Sequence, residues 1–247
     1  MTGWRLLLSG PGEPGFNMAL DEALALAVRR GWSPPTLRIY QWQSPAISLG
    51  CHQPLSVLQG FGGMGPGVAV VRRPTAGGAV AHSADVSYAL VCDTVRLREH
   101  PSRLLYARFH AALGRALAVG CPSCRPPAGG YALSANRAPA LPEQARCFEQ
   151  PVADDLMAGS RKVAGAAQRR WRDGLLQQGT VVASGCSPDR VALSIRTAWA
   201  EVFRQRFTVG TLTVQERLLA DELWRKYRPW TPSSWPPVIP SASNRSR

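Results

Sequence analysis

The sequence predicts one globular domain, in which helices and strands alternate along the chain. Its length of 247 residues suits one domain, or one domain with a tail. Hydrophobic residues make up 45% of the chain and charged residues 18%, which leaves enough apolar material for a sizeable core. Apolar segments with helical spacing alternate with short segments rich in strand-forming residues, and this alternation carries the prediction.

The N-terminal half contains two predicted helices separated by strands. Asn17 is a good helix N-cap, and the apolar stripe that follows it ends at Gly31. The segments predicted as strands are residues 36–42, 46–50, 68–71 and 86–92. The glycines of residues 60–67 predict a hairpin or loop. A proline near the start and Gly120 just after the end predict the second helix over residues 101–119.

The C-terminal half begins with an irregular segment. Residues 121–145 contain five prolines and little periodicity, which indicates a loop that is functional or disordered. The predicted elements that follow are strands over residues 162–170 and 175–183 and helices over residues 190–206 and 214–227. Residues 229–247 are rich in Pro and Ser and predict a disordered tail, so the folded domain is expected to span residues 1–228.

The chain is strongly basic. Its 29 Lys and Arg against 16 Asp and Glu give a net charge of +13, which predicts an acidic partner: a nucleic acid, an anionic surface or an acidic protein. A dense basic run and a nucleic-acid-binding signature are both missing, so no specific nucleic-acid partner is expected. No apolar run is long enough to predict a membrane-spanning helix. The N-terminus lacks the pattern of a secretory signal, so we expect a cytoplasmic location.

The six cysteines are expected to be reduced, because a reducing compartment disfavours disulfides. Cys121 and Cys124 have the spacing of metal ligands. A structural zinc site needs four ligands, however, and neither a second cysteine pair nor a histidine pair follows them. We therefore expect no metal site.

Two of the 29 basic residues are Lys: Lys162 and Lys226. Where Arg is the default cation, a remaining Lys can mark a position that Arg cannot fill. Lys162 lies in a strand of small residues, against which a ligand can lie flat. The alternative interpretation is a surface Lys beside a tightly packed strand.

A second candidate segment joins paired arginines to paired glycines. A predicted strand runs into Arg72 and Arg73, and Gly77 and Gly78 follow in a turn. Glycine lets the backbone approach a ligand closely, and its N–H groups can face an anion or a carbonyl. The arginines can bind a phosphate or a carboxylate. A hairpin with solvated arginines remains the alternative.

A third candidate is Cys147, which follows the irregular segment and stands next to Arg146. Buried Cys is usually a small apolar residue. A Cys at the end of a loop near cations is instead in a setting that favours the nucleophilic thiolate.

Together these segments resemble the lipoate–protein ligase and octanoyltransferase family, which is related to the biotin ligases. The resemblance covers about residues 4–227. Its strongest parts are residues 16–24, residues 72–82 (the family's Arg-Arg-x-Thr-Gly-Gly-x-Ala-Val-x-His signature), residues 161–165 and residues 176–180. The resemblance implies a single α/β domain of the biotin/lipoate ligase type, with a mixed, largely antiparallel sheet flanked by helices.

The family contains two chemistries. Its ligases activate free lipoate with ATP, whereas its octanoyltransferases move an octanoyl group through an acyl-cysteine. In the LipM-type branch the nucleophile lies in Cys-Phe-x-x-Pro ahead of the Lys strand, which here reads Cys147-Phe148-Glu149-Gln150-Pro151. The resemblance is therefore closest to that branch. Ala76, Gly78 and Gln178 depart from the motifs, and Gly78 is more typical of the ligases.

The resemblance implies that Cys147 is the nucleophile and that Lys162 is its electrostatic partner. The residues expected to bind the substrate are Arg72, Arg73, Thr75, Gly77, Gly78, Ala79, His82, Gly165, Ala166, Gln168 and Gly179. His82 is either a base for the incoming amine or a structural residue. Because converting a thioester into an amide needs no ATP, no cofactor is expected.

The resemblance also implies the partners. The expected donor is octanoyl-acyl carrier protein, and the expected acceptors are the glycine-cleavage H protein or the lipoyl domains of 2-oxoacid dehydrogenases. Such partners are typically acidic, in keeping with the basic chain. Three alternatives stay open: an ATP-dependent lipoate ligase, an octanoyl amidotransferase acting between lipoyl proteins, and a protein that binds an acyl group without catalysis.

Overall fold

The computed structural model describes residues 3–61, 67–98, 100–124, 126, 130–136 and 146–230. The strands within these ranges are β1 (Trp4–Gly12), β2 (Thr36–Trp42), β3 (Ala46–Leu49), β4 (Ala69–Arg72), β5 (Val80–His82), β6 (Val86–Asp93), β7 (Tyr131–Leu133), β8 (Leu156–Ala158), β9 (Arg161–Arg170), β10 (Gly174–Val181) and β11 (Phe207–Val209). The helices are α1 (Pro14–Arg29), α2 (Thr94–Leu97), α3 (Ser102–Gly120), α4 (Pro188–Phe203) and α5 (Val214–Trp224). Short 3-10 turns cover Leu55–Phe61, Pro122–Cys124 and Arg225–Tyr227.

Eight of these described strands form the main sheet, in the order β11-β1-β2-β6-β10-β9-β8-β7. Strand β1 runs parallel to β2 and β11, and the other pairs are antiparallel. The expected mixed, largely antiparallel sheet is confirmed. In the β9–β10 pair, Ala166 lies opposite Gly179 and Gly165 lies opposite Thr180. The small residues of the two strands therefore lie side by side.

Helices cover both faces of this sheet. Successive residues of β6 point to opposite faces, so Leu90 packs under α3 and α4 while Val91 packs under α1 and α5. On the first face, Phe109 of α3 stacks on Trp199 of α4 at 4.2 Å between ring centroids. Burial on both faces explains why residues 86–92 read as a continuous apolar run.

A second, three-stranded sheet has the order β4-β3-β5. The turn that joins β4 to β5 carries the paired glycines. A Cβ atom at Gly77 would lie 3.5 Å from the Cβ of Ala167, which belongs to β9 of the main sheet. The small sheet thus holds the glycine turn against the strand that carries Lys162.

Helix α1 begins before the predicted N-cap. Its cap is Glu13, whose carboxylate accepts hydrogen bonds from the backbone N–H groups of Gly15 (3.0 Å) and Phe16 (2.6 Å). Pro14 occupies the first turn, where its missing N–H costs nothing. Asn17 lies inside the helix, and its side-chain amide donates to the carbonyl of Gln41. The Asn17 cap prediction is wrong because Glu13 and Pro14 supply an earlier start.

The predicted loop at residues 121–145 contains regular structure in its described part. Strand β7 pairs with β8 at the edge of the main sheet, and Cys121 forms a disulfide with Cys186. The expectation of reduced cysteines is wrong for this pair. Packing of α3 against α4 brings the Cα atoms of Cys121 and Cys186 to 5.7 Å from each other, within the usual span of a disulfide. Residues 137–145 lie outside the described residues.

The packed chain continues to Trp230. Its backbone exchanges two hydrogen bonds with Val70, at 2.9 Å and 2.8 Å, two residues beyond the predicted end of the domain. The rest of the predicted tail, residues 231–247, and most of the glycine-rich loop at residues 60–67 lie outside the described residues. Among the described helices, none has the length and apolar character needed to cross a membrane.

Candidate active site

Cys147 is held at the edge of the small sheet. Its backbone N–H donates to the carbonyl of Ala79 at 2.8 Å, beside a parallel bridge between Ala79 and Arg146. Among the described cysteines, Cys51 and Cys147 are free and partly exposed, whereas Cys92 is free and buried. Burial raises the pKa of the Cys92 thiol. Cys147 therefore combines a fixed backbone with a partly exposed position.

Lys162 lies at the start of β9 with its ammonium directed at this cysteine. Its Nζ is 3.1 Å from Sγ of Cys147 and 2.8 Å from the carbonyl oxygen of the same residue. A third contact reaches Oδ2 of Asp155 at 2.6 Å. An ammonium has three protons to donate, and these three acceptors match them. The structure brings together the two residues that the sequence assigned to catalysis, although they are 15 positions apart.

Asp155 completes this group, although the sequence did not predict it. Its carboxylate is fully buried and accepts the backbone N–H of Val152 at 2.7 Å and the hydroxyl of Tyr106. Burial, followed by the neighbouring Asp155 charge, raises the pKa of Tyr106 well above its ordinary value, so this hydroxyl stays a donor. Asp155 thus fixes the position of the Lys162 ammonium. An acidic residue a few positions before the Lys strand was the available signal.

Gly165 leaves the space that the lysine occupies. A Cβ atom there would lie 2.6 Å from Cε of Lys162 and 3.2 Å from Sγ of Cys147. Any larger residue would push the ammonium away from the thiol. This steric requirement accounts for a glycine at this point of β9.

Cys147 opens onto a cavity, called here the inner cavity, between the two sheets. Its lining consists of Met18, Tyr40, Trp42, Ser48, Arg73, Gly77, Gly78, Val80, His82, Ser87, Cys147, Gly165, Ala166, Ala167, Gln178, Gly179 and Thr180. The walls are mostly apolar and backbone atoms of small residues. Its volume of about 50 Å³ has room for about three water molecules.

The predicted substrate residues divide between this cavity and the scaffold around it. Gly77, which has a positive φ of 91°, contributes backbone to the lining, together with Gly78, Gly165, Ala166 and Gly179. Arg73 reaches the lining too, but its guanidinium donates to the carbonyls of Ser48, Ala76 and Gly78. Burial lowers the pKa of Arg73. Its hydrogen bonds hold the glycine turn in shape.

Other predicted residues have their side chains engaged elsewhere. Arg72 donates to the backbone carbonyls of Gly50 and Gln53. Thr75 donates to the side chain of Gln178. These contacts fix the backbone around the inner cavity.

Gln168 and Ala79 also lie outside the lining of the inner cavity. The amide of Gln168 donates to that of Gln177 at 2.7 Å, which ties β9 to β10. Ala79 contributes to a neighbouring cavity instead.

Three contacts hold the imidazole ring of His82 in place. Its Nδ1 is 2.8 Å from Asp85, its Nε2 is 2.8 Å from the Ser48 hydroxyl, and its ring stacks on Trp42 at 3.9 Å. Burial of Asp85 is outweighed by the His82 charge and by hydrogen bonds, which together lower the pKa of Asp85. Both ring nitrogens of His82 are engaged, so the geometry favours its structural role over that of a base.

Comparison with known proteins places this chain in a family. Octanoyltransferase LipM of Kyrpidia tusciae is 29% identical over 275 aligned residues, covering 92% of this chain and 97% of the relative. The LipM octanoyltransferase of Symbiobacterium thermophilum is 34% identical, and the alignment covers 92% of this chain and 83% of the relative. The LipM octanoyltransferase of Moorella thermoacetica is 37% identical, and the alignment covers 72% of this chain and 64% of the relative.

Solved structures agree at the level of the fold. A Thermoplasma acidophilum protein with bound lipoic acid superposes with a TM-score of 0.70 at 21% identity, covering 91% of this chain and 95% of that one. A lipoate-protein ligase A bound with ATP gives a TM-score of 0.67 at 21% identity, with the same coverage. The family model of the lipoyl protein ligase A/B catalytic domain matches residues 13–198. This chain belongs to the lipoyl protein ligase A/B catalytic-domain family.

Proposed function

We propose that this protein is an octanoyltransferase of lipoate biosynthesis that works through an acyl-cysteine on Cys147. The single observation that carries the proposal is the 3.1 Å contact between Nζ of Lys162 and Sγ of Cys147 at the wall of an apolar cavity. The relatives named Octanoyltransferase LipM, at 29–37% identity, support it. The donor is octanoyl-acyl carrier protein, and the acceptor is a lysine of a lipoyl domain or of the glycine-cleavage H protein.

In the first step, the Cys147 thiolate attacks the thioester carbonyl of the donor. The new bond joins Sγ to the octanoyl carbon, and the bond from that carbon to the carrier sulfur breaks. The carrier leaves as a thiol, with the proton that Cys147 gave up. The Lys162 ammonium, fixed by Asp155, stabilises the negative charge that develops on sulfur and on the carbonyl oxygen.

In the second step, the amine of the acceptor lysine attacks the acyl-cysteine. A C–N bond forms, the C–S bond breaks, and Cys147 recovers a proton from the amine. Splitting the transfer in this way is nucleophilic catalysis and predicts ping-pong kinetics. A thioester is converted into an amide, so ATP takes no part in the balance.

The octanoyl chain occupies the inner cavity. Backbone of Gly77, Gly165 and Gly179 lines it, so the chain can lie flat against β9 and β10. The cavity of about 50 Å³ has to widen to hold eight carbons. Met18 is part of the lining, and its unbranched side chain is suited to moving aside.

The test is a transfer assay with purified protein, octanoyl-acyl carrier protein and a lipoyl domain, without ATP. Mass spectrometry of the lipoyl domain follows the octanoyl-lysine product. The wild type and Cys51→Ser are expected to transfer the group, because Cys51 is the matched, partly exposed cysteine outside the pair with Lys162. Cys147→Ser is expected to lose transfer.

Two further reactions complete the assay. Lipoate with ATP tests the ligase alternative, in which Cys147→Ser keeps its activity. Octanoyl-H protein as donor tests the amidotransferase alternative. Transfer from either of these, with none from octanoyl-acyl carrier protein, would contradict the proposal.

A further inference from the structure

A second cavity, called here the outer cavity, reaches Lys162 of the same pair from another side. It has a volume of about 460 Å³. Lys162 lines it, as do Arg146 and Phe148, the two neighbours of Cys147. Cys147 itself lines the inner cavity. The segment that carries the nucleophile therefore separates two cavities, and the Lys162 side chain lies between them.

This arrangement meets a requirement of thioester chemistry. When Sγ of Cys147 attacks, the acyl chain and the leaving thiol lie on different sides of one carbonyl carbon. The inner cavity takes the acyl chain under the proposed function. The leaving thiol and the arm attached to it need a separate space that touches Lys162, and the outer cavity is such a space.

The charges of the outer cavity indicate what that arm carries. Arg146 is already neutralised, because it pairs with Glu149 at 2.7 Å and donates to the carbonyl of Gly60. Arg161 is exposed, and its guanidinium donates to the neutral hydroxyl of Ser184 at 3.2 Å. Within the described ranges, no carboxylate forms an ion pair with Arg161. It keeps a free charge and free donors on the wall of the cavity, a chemistry that matches a phosphate.

Two carboxylates line the outer cavity, Glu149, which pairs with Arg146, and Asp85, which is also engaged. Asp85 accepts hydrogen bonds from Ser83 and Ser87 and lies against His82. The remaining wall is small and apolar where Ala79, Ala81 and Ala183 contribute. A slender arm with an anionic end fits these walls better than a bulky charged side chain does.

We propose that the outer cavity binds the thiol arm of the acyl donor, a phosphate-ended pantetheine arm, and that Arg161 binds its phosphate. The inference rests on the proposed function. It adds to that function the class of group that the outer cavity binds, and it names Arg161 as a binding residue. After the first step the arm leaves as a free thiol, and the acceptor lysine reaches the acyl-cysteine through the same cavity.

The test compares two small donors that differ by one group: octanoyl-phosphopantetheine and octanoyl-pantetheine. Acylation of Cys147 is followed by quenched-flow intact mass. For the wild type, kcat/KM is expected to be about tenfold or more higher with the phosphorylated donor, as for a charge-assisted hydrogen bond. Arg161→Gln is expected to bring the ratio of the two values close to one.

Arg172→Gln is the matched control, because it removes the same charge from an exposed position in the turn between β9 and β10. It is expected to keep the wild-type ratio. If both variants lose the preference for the phosphorylated donor to the same extent, the preference comes from long-range attraction, and the Arg161 assignment is overturned. Equal wild-type rates with the two donors would overturn the inference and leave the proposed function standing.

A third donor, octanoyl adenylate, separates the two sources of a phosphate. Faster acylation by the adenylate than by octanoyl-phosphopantetheine, with the same dependence on Arg161, would make the outer cavity a nucleotide site and overturn the inference. Slower acylation supports the pantetheine arm. Failure of all three small donors with a folded protein that octanoyl-acyl carrier protein acylates would overturn the inference alone. Failure of the carrier-protein donor as well would contradict the proposed function itself.

Discussion

Two buried ion pairs in this molecule look alike and differ in what they can do. Arg38 and Asp21 are 2.7 Å apart, with side chains 1% and 0% exposed. Lys162 and Asp155 are 2.6 Å apart, with side chains 2% and 0% exposed. Burial and charge alone do not separate them. The difference lies in the other partners of each cation.

The contacts of the Arg38–Asp21 pair join elements of the fold to one another. The guanidinium also donates to Ser9 and to Asn17, and Asp21 also accepts from Tyr40 and Gln178. Burial raises the pKa of Asp21 even though these donors oppose the rise. The contacts of Asn17 and Asp21 fasten α1 to the sheet, and the contact of Ser9 ties β1 to β2.

The Lys162–Asp155 pair also contacts a reactive group. Two of its acceptors, Asp155 and the Cys147 carbonyl, hold the ammonium, and the third is the sulfur of a partly exposed cysteine. One pair therefore stabilises the fold, and the other presents a charge to a nucleophile. A buried ion pair becomes a candidate active site when one of its contacts is a reactive group that faces a cavity.

The largest expected effect comes from Lys162→Arg. A planar guanidinium cannot place one charge at the point where the carboxylate, the carbonyl and the sulfur converge. Loss of this stabilisation is expected to lower kcat/KM for Cys147 acylation by about a hundredfold to a thousandfold. Stopped-flow acylation by an octanoyl thioester measures it, with circular dichroism to check folding. Retention of wild-type kinetics by a folded variant would show that the shape of the cation is irrelevant.

The reciprocal exchange, Arg38→Lys, is expected to lower stability and leave the chemistry intact. The lysine loses the forked contacts to Ser9 and Asn17, which reduces the free energy of unfolding by about 3 kcal/mol. Urea unfolding measures this change, and acylation kinetics of the folded variant provide the comparison. A stable variant with slow acylation would reverse the roles assigned to the two pairs.

Acid is expected to lower the stability of the protein through His110, whose ring contacts Tyr106 beside the Lys162–Asp155 pair. The Nδ1 atom of His110 is 2.7 Å from the carbonyl of Asp154. Burial lowers the pKa of His110 to about 4. Between its ordinary pKa of about 6.5 and this value, the unfolded chain binds a proton that the folded chain excludes. Stability contributed by neutral His110 is thus complete above pH 6.5 and is lost as the pH falls.

The resulting loss in the free energy of unfolding is about 3 kcal/mol between pH 7 and pH 4. His110→Asn keeps a donor for the Asp154 carbonyl and removes the titration, so its stability should fall less over this range. Urea unfolding at both pH values measures the difference, and His52→Asn, at an exposed position, is the control. Equal pH dependence in wild type and His110→Asn would refute this account.

The smallest effects separate two glycines of neighbouring strands. In Gly165→Ala the new methyl group meets the flexible end of Lys162, so acylation is expected to slow by about tenfold to a hundredfold. In Gly179→Ala it meets the ring of Tyr88, which Phe109 and Trp199 hold in the core, so stability is expected to fall by about 1–3 kcal/mol. Thermal unfolding and acylation kinetics of both variants measure the two effects. The opposite assignment of effects would contradict the site geometry.

Sequence reasoning predicted the parts of this molecule that local patterns determine. The strand at residues 36–42 and the apolar run at residues 86–92 are confirmed by β2 and β6. The order of motifs also identified Cys147 and Lys162, which the fold brings into contact. In each case the signal lay within a short stretch of chain.

The parts that sequence reasoning missed depend on contacts between distant residues. Asp155 lies a few positions before the Lys strand, but its contact with Tyr106, 49 positions earlier, forms only when the chain folds. The Cys121–Cys186 disulfide joins residues 65 positions apart, which become neighbours only when α3 packs against α4. Such pairings are set by the packing of elements, so a local pattern cannot reveal them.

The most direct test of the central claim is the intact mass of the protein after mixing with octanoyl-acyl carrier protein without ATP. The account predicts one octanoyl adduct, labile to hydroxylamine, that forms in the wild type and in Cys51→Ala and is missing in Cys147→Ala. Lys162→Arg should form the same adduct much more slowly. A folded wild-type protein without an adduct, or an adduct that persists in Cys147→Ala, would contradict the assignment of Cys147 as the nucleophile.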